Sequence, residues 1–121
     1  MSKALTPLEL KVMNLLWLLK KAFVKDILNN WNEEKTPAYN TVSTTVRILE
    51  DKGYVQHKAI GKSHEYFPVI SKTNYQKKFM RNVLNDLFAG SYNNLVSTLL
   101  DKEKLSANQI TELENLINKA K

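Results

Sequence analysis

The chain has 121 residues, 43% of them hydrophobic and 25% charged, which is the composition of a globular protein and not of a disordered one. It carries a formal net charge of +6 and a pI of about 9.5, so an anionic partner is expected, nucleic acid ahead of a membrane surface. The absence of cysteine excludes disulfides, thiolate metal sites and cysteine nucleophiles.

The charge is not concentrated. Residues 1–70 carry ten basic and seven acidic side chains and residues 71–121 carry eight and five, so each part nets +3 and no basic tail stands out. The start of the chain lacks the basic and apolar regions of a secretory leader. The longest apolar stretch, residues 12–19, is interrupted by Asn14 and is too short to cross a bilayer. A cytoplasmic protein without membrane insertion is expected.

In chain order, Thr6-Pro7-Leu8-Glu9 reads as a capping box with proline at the first helical position. Behind it Leu8, Val12, Leu15, Leu16 and Leu19 recur at three- and four-residue steps, predicting an amphipathic helix to about residue 20. A short link, Lys21-Ala22-Phe23, leads to a second helix over residues 24 to about 31, with Ile27, Leu28 and Trp31 on its apolar side. After a polar turn, Thr36-Pro37 again places a cap before proline, and the third helix runs from there to Lys52, with Gly53 ending it. Residues 54–60 and 64–70 read as strands around a turn at Gly61-Lys62-Ser63, and Pro68 suits an edge position. From Ser71 the pattern is helical. Gly90-Ser91 breaks it, a short helix covers residues 92 to about 101, and Ser106-Ala107-Asn108-Gln109 opens a last helix.

Three helices and then a hairpin is the order of a winged helix-turn-helix. There one helix enters the major groove and the hairpin touches neighbouring DNA. The predicted fold class is mainly α with a small β-hairpin wing: a winged helix over residues 1–70 and a C-terminal helical dimerisation arm over residues 71–121. On the third helix, at about 100° per residue, Val42, Val46 and Leu49 share one side and face the core. Asn40, Thr44 and Arg47 lie opposite, with Thr41 and Ser43 on the flanks. Asparagine pairs with adenine, threonine offers a hydroxyl or a methyl, and arginine binds guanine or phosphate. Thr41, Thr44 and Thr45 are mediocre helix formers, which favours a functional reason for their presence. In the hairpin, Lys58 and Lys62 are placed to meet phosphates. His57 and His64, without cysteine, are too few for a structural zinc site unless carboxylates or a second chain join, and read as surface residues. No metal or cofactor is predicted.

Leu5-Thr6-Pro7-Leu8-Glu9 with Val12-Met13 and Leu16-Trp17, then Ala38-Tyr39-Asn40-Thr41-Val42-Ser43-Thr44, then Arg47-Ile48-Leu49-Glu50-Asp51-Lys52-Gly53 form an ordered set of strings. Tyr66-Phe67-Pro68 and Gly90-Ser91-Tyr92 with Asn94-Leu95-Val96 continue it. In order and spacing the set resembles the penicillinase-repressor family (the BlaI/MecI/CopY group) over nearly the whole chain. The resemblance implies a homodimer that binds inverted-repeat operators in double-stranded DNA and represses antibiotic-resistance or stress genes. In the β-lactam branch, a membrane metalloprotease sensor pathway triggers cleavage in the C-terminal part, usually at an Asn-Phe pair. The matching position here is Thr98-Leu99, so that pair is not preserved. The copper-responsive branch carries C-terminal cysteines that this chain lacks, which favours the BlaI/MecI branch.

Size argues for pairing independently. A segment of about 50 residues buries too little surface to be stable alone. The predicted dimer contacts are Tyr75, Phe79, Leu84, Leu87, Phe88, Leu95, Leu99, Ile110, Leu113 and Ile117, arranged about a two-fold axis. Folding back onto the N-terminal domain is the alternative. An enzyme is not predicted, since no phosphate loop, metal-binding helix motif or nucleophile–base set is present. Two rivals stand beside the repressor: a winged helix used for protein–protein contact, and a repressor that senses a small ligand directly.

Overall fold

The computed structural model describes residues 5–102 together with residues 107, 108, 111, 112 and 115. In chain order come α1 (Pro7–Leu19), α2 (Val24–Asn29), α3 (Tyr39–Asp51), β1 (Val55–Ile60), β2 (Ser63–Pro68), α4 (Lys72–Phe88) and α5 (Tyr92–Lys102). Residues 107, 108, 111, 112 and 115 are also helical. The fold is mainly helical with one antiparallel hairpin, as the sequence predicts.

The start of α1 is built as read. The Glu9 N–H donates to the Thr6 hydroxyl (3.2 Å) and the Thr6 N–H donates to the Glu9 carboxylate (2.9 Å), so two backbone donors are satisfied reciprocally. Its end is unusual. Lys20 takes φ +74, in the region that favours glycine, while its N–H closes the last turn on Leu16. Helix α2 starts with the Phe23 N–H donating to the Asp26 side chain (3.0 Å) and ends at Asn29, two residues earlier than predicted.

Helix α3 begins at Tyr39, later than the Thr36-Pro37 signal places it. Ala38 is the N-cap and stays extended, with no side-chain bond to the helix. A cap-like residue before proline permits a helix start but does not compel one. The consequence is that Asn40 and Thr41 sit in the first turn.

The hairpin turn is tighter than predicted. Ile60 pairs with Ser63, so the turn is two residues, Gly61-Lys62, and the ladder continues through Ala59–His64, Lys58–Glu65, His57–Tyr66 and Val55–Pro68. Gly61 has φ +61 at the first turn position, where a type II′ hairpin requires glycine. The link before α2 also joins this sheet. Ala22 and Tyr66 exchange both backbone hydrogen bonds (2.9 and 2.8 Å), which clamps the hairpin to the helical part.

Two compact units emerge, Met1–Tyr75 and Gln76–Lys121. In the first, Val12, Met13, Leu16, Ile27, Val42, Val46, Leu49 and Val55 are wholly buried. Val42, Val46 and Leu49 thus form the inner side of α3, as the wheel predicts. Trp17 donates its indole N–H to the Ile70 carbonyl (2.9 Å). The Tyr75 ring lies 5.5 Å from that of Trp17 and 5.8 Å from that of Tyr54. Tyr75, expected among the dimer contacts, therefore packs against the N-terminal core of its own chain.

Ser71, still in the first unit, and Ser91, in the second, each accept from the backbone N–H three residues on, at the starts of α4 and α5. Between the helices Ala89 and Gly90 both hold positive φ. Leu84 and Leu95 are buried and Phe88 and Leu99 are half-buried, whereas Phe79 and Leu87 are exposed. Ile110, Leu113 and Ile117 lie outside the described residues.

Candidate nucleic-acid interface

Helix α3 is held so that one side is sunk and the other is presented. On the outer side Asn40, Thr41, Thr44 and Arg47 are exposed and Ser43 is half-exposed. The Arg47 Nε–H donates to the Ser43 carbonyl (3.3 Å), which lays the guanidinium back along the helix. Thr45 differs from the other threonines. It is buried, and its hydroxyl donates to the Thr41 carbonyl (2.7 Å). Its presence is explained by packing and not by the outer face.

An ion pair fixes the far end of α3. Lys52, the C-cap residue, donates to the Glu9 carboxylate at 2.7 Å, and the two side chains are 19% and 7% exposed. Burial alone would raise the Glu9 pKa. The hydrogen bonds from Lys52 and Thr6 together with the Lys52 charge outweigh it, and the pKa lies below the usual 4.5. Glu9 is therefore a charged strut between the first turn of α1 and the last of α3. The sequence shows its capping role and gives no hint of its partner 43 positions away.

The hairpin separates the two lysines expected there. Lys62 stands at the turn. Lys58 pairs across the ladder with Glu65, on the opposite face from the His57–Tyr66 pair. Lys62 and Ser43 line one open groove of about 370 Å3, together with Phe23 and Lys25 before and within α2 and Tyr39 at the start of α3. Tyr39 is 57% exposed. Neither Lys25 nor Tyr39 stands out in the sequence, because only the folded register brings α2, α3 and the hairpin tip together.

The histidines are not isolated. The His57 and His64 rings stack, 4.1 Å apart and 13° from parallel. His57 Nδ1 lies 2.8 and 2.9 Å from the two Glu50 carboxylate oxygens. Tyr66 lies beneath, and its pKa is raised first by burial and then by the Glu50 charge, with Arg47 opposing. Among the described residues no group of three side chains suited to a metal ion occurs, and no helix is long and apolar enough to cross a membrane.

The sequence profile described as "Penicillinase repressor" matches residues 5–119. The chain belongs to the penicillinase repressor family. Within that family it is 31% identical over 111 residues to the methicillin resistance regulatory protein MecI of Staphylococcus aureus, spanning 92% of this chain and 90% of that one. It is 26% identical over 113 residues to the penicillinase repressor of Bacillus licheniformis, spanning 93% and 88%. These relatives place it in the BlaI/MecI branch. Among solved structures, the DNA-binding domain of the repressor BlaI superposes with a TM-score of 0.53 at 25% identity, covering 62% of this chain and 94% of that one. The winged helix is thus shared with a family member.

Proposed function

We propose that this chain is a DNA-binding transcriptional repressor that acts as a homodimer on an inverted-repeat operator. The observation that carries the reading is the outer side of α3. Asn40, Thr41, Thr44 and Arg47 are exposed there on a helix whose inner side is wholly buried, so the face is rigid and free to enter a major groove. Its side chains are the types that read base edges and hold phosphates. The names of the relatives, a methicillin resistance regulator and a penicillinase repressor, support repression of resistance genes.

The homodimer is supported by apolar side chains of the second unit that are solvent-exposed among the described residues. Leu87 is 76% exposed and Leu100 40%. Covering them with a second copy would link two winged helices, so that binding of the first raises the effective concentration of the second.

Release would act on this arm. Thr98-Leu99, at the position of the family's scissile pair, lies inside α5, where the Thr98 hydroxyl donates to the Asn94 carbonyl (2.9 Å). A protease binds extended backbone, so cleavage there, triggered by a membrane metalloprotease sensor pathway, requires α5 to unwind first.

The test is a titration of the full chain into duplex DNA at several salt concentrations. A repressor of this design shows a steep fall of affinity with salt. Arg47→Ala should weaken binding at fixed salt by about 1–3 kcal/mol if Arg47 reads a base. Salt-independent binding, or none, would favour a protein–protein module instead.

A further inference from the structure

The groove between α2, the start of α3 and the hairpin tip has a consistent chemistry. Lys25, Lys62 and His64 are exposed along it, and Tyr39 and Ser43 add hydroxyls. Among the described residues no carboxylate lines it, and neither lysine takes part in an ion pair. Three potential cations around hydroxyl donors, with no acid, form a receptor for a phosphate group.

One of the three is set up differently. The ring of His64 is held flat against His57, and Glu50 anchors His57 through Nδ1. The charged and titratable groups around the pair are Glu50 on α3 and Tyr66 on β2 against it, Lys25 on α2, Tyr39 on α3 and Lys62 at the turn along the same groove as His64, and Arg47 on α3 acting on Tyr66. Two cationic rings stacked face to face repel each other. Glu50 sits against His57, whereas His64 lines the groove together with Lys25 and Lys62. A proton on His64 is therefore favoured when an anion occupies the groove.

We propose that this groove seats a phosphodiester of the DNA strand and that His64, positioned by His57 and Glu50, is a proton-dependent ligand to it. The proposal rests on the DNA-binding reading and extends it to a contact off the α3 face. Phosphate contacts carry no sequence information, so any duplex reports on it. The phosphodiester stays intact throughout: His64 takes a proton from solvent as the strand seats and returns it on release.

The experiment follows fluorescence anisotropy of a labelled mixed-sequence duplex of about 30 base pairs with the full chain, at fixed salt, from about pH 6 to pH 8. The wild-type affinity should fall by about tenfold across that range, as linked uptake of about half a proton on average gives, a full proton setting the upper limit of about a hundredfold. His64→Gln should bind with a flat profile, near the wild-type level at pH 8. His57→Gln should flatten the profile in part, since it loosens the ring without removing the ligand. Lys25→Ala should keep the pH profile and lower the salt slope by about 1. Thermal melts of each variant at both pH extremes show that it is folded. If His64→Gln keeps the wild-type pH dependence, or if the wild type binds with a steep salt slope and no pH dependence, the His64 assignment is wrong while the DNA-binding reading stands. If the wild type binds no duplex at any pH, both fall.

Discussion

Replacing Glu9 by glutamine tests how α3 is held in place. Glutamine keeps an oxygen that accepts from the Thr6 N–H, so the cap survives. What is lost is the charge facing Lys52 across 2.7 Å. An exposed pair of this kind contributes about 0–1 kcal/mol. Breaking a fully buried pair costs about 3–5 kcal/mol. Here Glu9 is 7% exposed and Lys52 19%, so the site lies between these limits, and a loss of about 2 kcal/mol is expected. The pH dependence follows from the lowered pKa. Folding depresses the Glu9 value below 4.5, so its contribution is full above that pH and is lost as pH falls through the folded value. Urea melts of wild type and Glu9→Gln should differ by about 2 kcal/mol at pH 7 and converge toward pH 3. A difference under about 0.5 kcal/mol at pH 7, or one that persists unchanged at pH 3, would refute the strut.

Two further outcomes follow from the backbone and the arm. Lys20 holds φ +74, so Lys20→Gly should raise stability by about 1 kcal/mol in the same melts, and a lower midpoint would contradict the strain. A chain ending at Asn94 loses Leu95 and Leu99; it should sediment as a monomer and bind duplex at least about 100-fold more weakly. Undiminished affinity of that chain would show that the arm does not link two winged helices.

Much of this architecture is legible in the sequence, and the exceptions have physical causes. The Thr6–Glu9 box, the Val42–Val46–Leu49 stripe and the Gly90-Ser91 break are local signals, and the structure places them as read. The hairpin shows where local reading stops. A three-residue turn at Gly61-Lys62-Ser63 would close on Ile60 and His64, pairing His57 with Phe67. The two-residue turn pairs His57 with Tyr66 and sets His64 diagonal to His57 on the same face. One residue of register thus decides whether the histidines meet. The sequence contains the two-residue signal, a glycine followed by one polar residue, but Ser63 reads equally well as turn or strand. Long-range partners are invisible for a different reason. Glu9–Lys52, Trp17–Ile70 and Ala22–Tyr66 depend on how elements distant in sequence come together, which no short string encodes.

If two copies of the α3 face grip one duplex, selection of binding sites from a pool of random duplexes should enrich an inverted repeat whose half-sites are centred about 10 base pairs, or a multiple of that, apart. Enrichment of a single unrepeated site, or no enrichment, would show that the faces do not act as a pair.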